Sequence, residues 1–367
     1  MPFENGRISF RIFSLSKDLP SDYIDRFARH CAPPIESCSG GNTSGWVTGR
    51  HMLDRDIREE TAHYAGYLRM ALLEIEKKIP PSLLKAECQM EELAVMEAEG
   101  RPFLNRKERS DIRKEVYERL LPEMPPQMKE IPFIHMPGSK TLYASALSIG
   151  KCDLICSRFL STMGYNITPC APDRLIELLG TADYRGWRGA SFSPRIDDEA
   201  FEADPGSEFM TWLLYIYDAC EACVEHPELG RIEIMIEGPL RFYHEGKGVH
   251  ETMLKSGEPI RSPEATISLM SGKKLKQAKL TLAVNGDPWE FALDSDAFVF
   301  RNMLLPEADK DLDYASRFDE RIRRLDQFRD IFFGLYGHFL KIRDNVESWK
   351  SEKGAMRAWV SKRAGVK

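Results

Sequence analysis

The stretch KLTLAVNGDPWEFALD, residues 279–294, leaves a chain little choice of fold. Leu280, Leu282 and Val284 alternate with polar or small residues before Asn285-Gly286, and Trp289, Phe291 and Leu293 alternate after it. An Asn-Gly pair suits a type I′ turn, whose two central residues both need positive φ, and that turn joins strands into an antiparallel hairpin. A period of two places the apolar side chains on one face. The fold must contain an antiparallel sheet with a face to bury, and the rest of the chain must cover it.

The same alternation recurs in residues 7–15, with Ile8, Phe10 and Ile12, and residues 65–79 read as a strand carrying Leu68, Met70 and Leu72 on one side. Ser21 is a candidate N-cap for a helix bearing Ile24, Phe27 and Cys31. Pro80-Pro81-Ser82 stops the 65–79 strand and opens a helix that runs to about Glu99, where Gly100 ends it. Asn105 and Glu108 fit a capping box for a second helix, with Ile112, Val116 and Leu120 every fourth residue and Pro122 as its stop. Both helices are polar with narrow apolar stripes, the pattern of a projecting two-helix hairpin.

Residues 130–147 read as a hairpin around Pro137-Gly138-Ser139-Lys140, followed by a helix with Leu154, Phe159 and Met163. MTWLLYIYDACEACV, residues 210–224, reads as a buried helix, shorter than the roughly 18–20 apolar residues a membrane span needs. Ser262, Pro263 and Gly272 bound another helix. Tyr314, Phe318, Ile322, Leu325, Phe332 and Phe339 mark a long amphipathic helix over 313–345, with a break expected between Gly334 and Gly337. Strands and helices in this order, with little parallel crossover pattern, give the α+β class: antiparallel sheets with flanking helices. The expected divisions are a central α+β domain of residues 1–79 with 123–182, a helical-hairpin tip at 80–122, a base α+β domain at 183–345, and a basic C-terminal tail at 346–367, where from Trp349 to Lys367 six Lys/Arg face one acid, Glu352.

The start of the chain has no continuous apolar run, and the eight cysteines are irregularly spaced, so free thiols in a reducing, cytoplasmic setting are expected. No phosphate-binding glycine loop, GxSxG or HExxH pattern occurs. Cys220 and Cys223 with His226 offer up to three ligands, yet they fall in the apolar 210–224 helix and read as buried thiols, so neither metal nor cofactor is expected. Asp294 and Asp296, and Asp309, Asp311 and Asp313, would serve a metal-dependent nuclease only if they converged. The formal net charge is −6, which excludes a uniformly basic coat and leaves room for a local basic surface.

Two basic groups stand out. Lys273, Lys274, Lys276 and Lys279 lie within seven residues with no acid between them. Lys273 and Lys274 follow a helix C-terminus, where cations offset the dipole, whereas Lys276 and Lys279 lie beyond that reach and are left for phosphate. Arg261 precedes the same helix. The second polar helix holds Arg106, Lys107, Arg109 and Arg113. The Arg-aromatic mixture of residues 184–192 suits either single-strand stacking or an ordinary loop.

The ordered set Gly100-Arg101, Arg106-Lys107-Glu108-Arg109, Lys114-Glu115-Val116 and Leu120-Leu121-Pro122 resembles the recombination-associated RdgC family, as do Gly45-Trp46, the strand–helix unit to about Pro172 and, further on, Gly272-Lys273 and residues 317–322. The resemblance implies a non-enzymatic, sequence-independent double-stranded-DNA binder, associated with the nucleoid and with no membrane contact. It implies a ring-shaped homodimer around the duplex that restrains RecA-filament activity, with RecA reached indirectly through the DNA and the hairpin as a tip where subunits meet. Lys273, Lys274, Lys276, Lys279, Arg261, Arg106, Lys107, Arg109 and Arg113 are the expected DNA contacts. The rivals are a metal-dependent nuclease and a protein-interaction module that has lost DNA contact. The latter is suggested by Glu123-Met124-Pro125, where family members carry a basic and an aromatic residue.

Overall fold

The computed structural model describes residues 3–35, 42–136, 138–180, 186–196, 203–244, 250–307, 309 and 311–365. Pro137 of the expected 137–140 turn, Cys38, Lys367 and parts of the 183–206 loop lie outside the described residues. In chain order the first half holds β1 (Ile8–Leu15), α1 (Tyr23–Arg29), β2 (Asn42–Thr48), α2 (Glu59–Ala62), β3 (His63–Tyr64), β4 (Tyr67–Lys77), α3 (Pro81–Glu99), α4 (Arg106–Leu120), β5 (Pro126–His135), β6 (Thr141–Ala144), α5 (Ile149–Met163), β7 (Ile167–Pro169) and α6 (Pro172–Leu179). The second half holds α7 (Pro205–Ala219), β8 (Cys223–His226), β9 (Gly230–Tyr243), β10 (Glu251–Leu254), α8 (Pro263–Met270), β11 (Lys274–Val284), β12 (Asp287–Asp294), β13 (Val299–Leu304), α9 (Tyr314–Asp344) and α10 (Val346–Arg363).

The class is α+β, and the strands form one large antiparallel sheet in the order β10-β9-β11-β12-β13-β1-β6-β5-β4-β2, with β3, β7 and β8 on side branches. The Asn285-Gly286 turn is as expected: Val284 pairs with Asp287, and the two turn residues have φ of +54° and +86°. β1 joins the two halves of the sheet. Its first residues pair with β13 (Phe10 opposite Phe300) and its later ones with β6 (Ile12 opposite Tyr143). The sheet therefore runs across the division expected between the central and base domains.

One face of the β9–β13 half packs on α7 and α9. Leu280, Leu282, Trp289, Phe291 and Phe300 from the sheet meet Phe209, Phe328, Phe332 and Tyr336 from the helices, all within 2% of complete burial. Each such side chain contributes roughly 1.5–3 kcal/mol of hydrophobic stabilisation. Over β4, β5 and β6, α1 and α5 cover a second core of Leu68, Met70, Leu72, Phe133 and Phe159. There Trp46 is fully buried and donates from Nε1 to Thr162 Oγ1 at 2.7 Å, which gives the Gly45-Trp46 match a packing role.

Several local expectations change. Ser21 does not cap α1; Asp22 takes that position and pairs with Arg26 at 2.9 Å. The strand expected from residue 65 starts at Tyr67, because Ala65 and Gly66 make the β3–β4 turn with positive φ. α9 is unbroken over 31 residues. Gly334 serves close approach instead: a Cβ there would lie 2.6 Å from Leu229 Cδ1 in the β8–β9 turn. The 346–367 segment is not a separate tail. Val346–Arg363 is helix α10, which buries Trp349, Met356, Trp359 and Val360 in the main core and pairs Arg363 with Asp218.

Candidate nucleic-acid interface

Between β4 and β5 the chain leaves the sheet for α3 and α4. Pro81 starts α3 at its first turn, and Gly100 ends it in the left-handed region, with Gly100 and Arg101 amides returning to Glu97 and Met96 carbonyls. The Asn105 side chain accepts from the Glu108 amide at 3.0 Å while the Glu108 carboxylate accepts from the Asn105 amide at 2.8 Å, so α4 opens with the capping box expected of it. The Asn105 amide, and then Arg101, hold the Glu108 carboxyl below the usual carboxylate range.

The two helices pack on each other through a small core of Ile79, Leu84, Val116 and Leu120. Ion pairs cross the gap: Arg119 to Glu91 at 2.6 Å and to Glu87 at 3.0 Å, and Arg109 to Glu92 at 3.7 Å. Much apolar surface stays uncovered. Phe103 is 70% exposed, Met90 58% and Leu93 57%.

The outward side of α4 sorts its charges. At about 100° per residue, Arg113, Arg106, Tyr117, Lys114 and Lys107 fall on an arc of about 120°, and Glu118, Asp111 and Glu115 fall on the next. Arg106, Lys107 and Arg113 are exposed and make no ion pair among the described residues. Arg109 is spent on Glu92, and Lys114 lies 3.9 Å from Glu118.

The lysines before the Asn285-Gly286 hairpin are placed differently. Lys273 Nζ donates to Thr252 Oγ1 at 2.6 Å. Lys274 is buried, 3.4 Å from the wholly buried Glu208, which takes it off any surface stripe. Lys276 pairs with Asp296 and lies 4.5 Å from the centre of the Tyr243 ring. Lys279 pairs with Glu237 at 2.5 Å and Glu290 at 3.5 Å, and the hydrogen bond it donates to Glu237 pushes its pKa up. The acids missing from the local sequence arrive from β9, α7, β12 and the residues after β12. Part of this was legible: Ile232, Ile234 and Ile236 alternate with Arg231, Glu233 and Glu237 in a strand pattern, and the register of β9 on β11 then sets Glu237 opposite Lys279.

Arg261 is exposed, unpaired among the described residues, and lines a surface cavity of about 580 Å³ with Arg195, Ile267 and Arg363. It is remote in sequence from α4.

The acidic groups have local structural work. Asp294 accepts from Gln277 Nε2 at 2.6 Å and Asp296 holds Lys276. Asp309 accepts from the Asp311 amide at 3.0 Å, and Asp313 caps α9 through the Ser316 amide at 2.9 Å. Cys220 and Cys223 do not lie inside a helix: α7 ends at Ala219 and Cys223 opens β8, with Ala222 at φ +55° between them. Among the described residues, no three His, Cys, Asp or Glu side chains are grouped to hold a metal ion, and no helix is long and apolar enough to cross a membrane.

No curated protein matches the chain. A family model does match, over residues 9–176, the span from β1 to α6 that includes the α3–α4 hairpin; its description is "Putative exonuclease, RdgC". Over this span, a little under half of its length, the chain is similar to the RdgC family.

Proposed function

We propose that the chain binds double-stranded DNA without reading its sequence, as a ring-shaped homodimer in the nucleoid, and so modulates RecA-dependent recombination without cutting the DNA. The observation that carries this is the α3–α4 hairpin. It presents unpaired Arg106, Lys107 and Arg113 beside exposed Met90, Leu93 and Phe103 on one small unit. Similarity to the RdgC family supports a recombination-related nucleic-acid role. Cations of this kind neutralise phosphates and touch no base edge, which gives affinity without sequence preference. The uncovered apolar side chains supply what a second copy needs. RecA is affected through occupation of the DNA.

The reading is tested by gel shift on mixed-sequence duplex DNA over a salt series, with solution mass measured in parallel. Salt-sensitive binding by a dimer is expected; absence of salt-sensitive binding overturns the reading. The family description favours a second reading, a metal-dependent exonuclease. Loss of linear duplex DNA in magnesium or manganese would establish it over binding alone.

A further inference from the structure

Helix α8 has two working faces. Ala265, Ser268 and Leu269 are buried against the rest of the protein. Pro263, Thr266, Ile267 and Met270 lie on another face and line the surface cavity of about 580 Å³. Their spacing of i, i+3, i+4 and i+7 is that of a helix face that packs against something. Ile267 is nevertheless 66% exposed. Arg363 and Ala364, at the end of α10, line the same cavity. A concave apolar surface with a few polar groups around it is the usual make-up of a binding pocket.

An arginine stands at each end of the stripe. Arg261 comes two residues before α8. Arg195 is fixed at the far end: the Ser193 hydroxyl donates to Met270 O at 2.7 Å and accepts from the Arg195 amide at 3.1 Å. Both arginines are exposed, and neither makes an ion pair among the described residues. Arg363 is already committed, because its guanidinium serves Asp218, Thr266 Oγ1 and Ile260 O. The hydroxyls are committed too: Thr266 donates to Ser262 O at 3.3 Å and Ser271 to Ser268 O at 2.8 Å. No acid is among the described residues that line the cavity. Two guanidinium groups, with an apolar stripe between them, are left for a ligand.

We propose that this cavity docks an extended acidic peptide of a partner protein, with one apolar side chain seated on Ile267 and Met270 and a carboxylate on each of Arg195 and Arg261. A guanidinium takes a carboxylate through two parallel hydrogen bonds. Eight helical residues rise about 12 Å, and an extended chain advances about 3.3 Å per residue. Carboxylates that reach both arginines therefore lie about four residues apart, with the apolar residue midway. Phosphates of duplex DNA would meet the arginines and leave Ile267 and Met270 in water, so the stripe favours the peptide. All the lining residues fall outside the matched span 9–176 and away from α4 in the chain. The peptide site does not depend on duplex binding by the α3–α4 hairpin.

The probe is the peptide Glu-Ser-Phe-Ser-Glu, with fluorescein on its N-terminus and an amide at its C-terminus, and its binding to the full-length chain is followed by fluorescence anisotropy. Two controls are made in the same way: Glu-Glu-Ser-Ser-Phe, of identical composition and charge, and Gln-Ser-Phe-Ser-Gln, without charge. The probe should bind saturably. Each control should bind at least about tenfold more weakly, the loss of one charge-assisted contact. Arg195→Gln with Arg261→Gln should weaken the probe by at least as much, and Ile267→Ser should weaken it without changing duplex affinity. Absence of saturable binding, or equal binding of the probe and its rearranged control, overturns the proposal. So does displacement of the probe by mixed-sequence duplex DNA together with an equal loss of duplex binding in the arginine variant, which would make the cavity a phosphate surface. The peptide comparison uses the unmutated chain, so a misfolded variant leaves the test standing.

Discussion

Lys274 Nζ stands 3.4 Å from Glu208 Oε1, joining the first residue of β11 to the first turn of α7 across 66 residues of chain. The other Glu208 oxygen accepts from Arg343 Nε of α9 at 2.8 Å, and the Ala190 amide donates to Oε1 at 3.0 Å. One carboxylate thus satisfies two buried cations and a backbone amide, and it ties α7, α9 and the sheet together.

Removing that carboxylate takes a buried counter-charge from both cations. Glu208→Ala should cost about 3–5 kcal/mol, as broken buried pairs do. Lys274→Met should cost less, because Arg343 remains to balance Glu208. Urea unfolding of the two variants checks the order; equal losses would contradict it.

The two sets of basic residues should also differ in their effect on DNA. Arg106→Glu with Arg113→Glu should weaken duplex binding and lower the log–log salt slope by about 0.9 for each phosphate that is no longer neutralised. Lys274→Met should leave the slope unchanged, since a buried, paired lysine neutralises no phosphate. Gel shifts between low and moderate salt distinguish these results. A slope untouched by the α4 changes removes the hairpin from the interface.

Apolar exposure on α3 gives the third expectation. Met90→Glu with Leu93→Glu places two charges where a second copy would pack, so sedimentation should show a shift from dimer to monomer. Unfolding should stay within about 0.5 kcal/mol of the parent's, as for surface changes that leave the core intact. A dimer that survives both charges would move the subunit interface elsewhere.

His135 sets a pH response. Burial lowers its pKa from 6.5, and its Nδ1 lies 3.0 Å from Thr141 O. Below about 6.5 the unfolded chain binds a proton that the folded chain resists. The stability contribution is therefore full above that pH and lost as pH falls, by up to about 1.4 kcal/mol per unit. His338, also lowered by burial, acts with the same sign. Urea midpoints at pH 7 and pH 5 should differ in this sense, and His135→Gln should reduce the difference.

Local rules carried a good share of the fold. The Asn285-Gly286 turn, the Asn105–Glu108 box, the Gly100 stop and the Ser262 cap are short-range devices whose hydrogen bonds close within a few residues, so each could be placed from neighbouring residues alone. β9, β10 and the docking of α10 were harder to read. An amphipathic basic segment such as 346–367 looks the same whether solvated or packed, until Trp349 and Trp359 find a core to enter.

The sequence by itself determined the α+β class, the helical hairpin and the resemblance to the RdgC family, because periodicity, caps and ordered motifs are properties of contiguous residues. Only the tertiary structure decided which cations are free. Lys273 to Lys279 have no acid among them in the chain, yet Glu208, Glu237, Glu290 and Asp296 reach three of the four from other elements. Charge acts through space over a few ångströms, and strand register and helix packing determine which acid stands there.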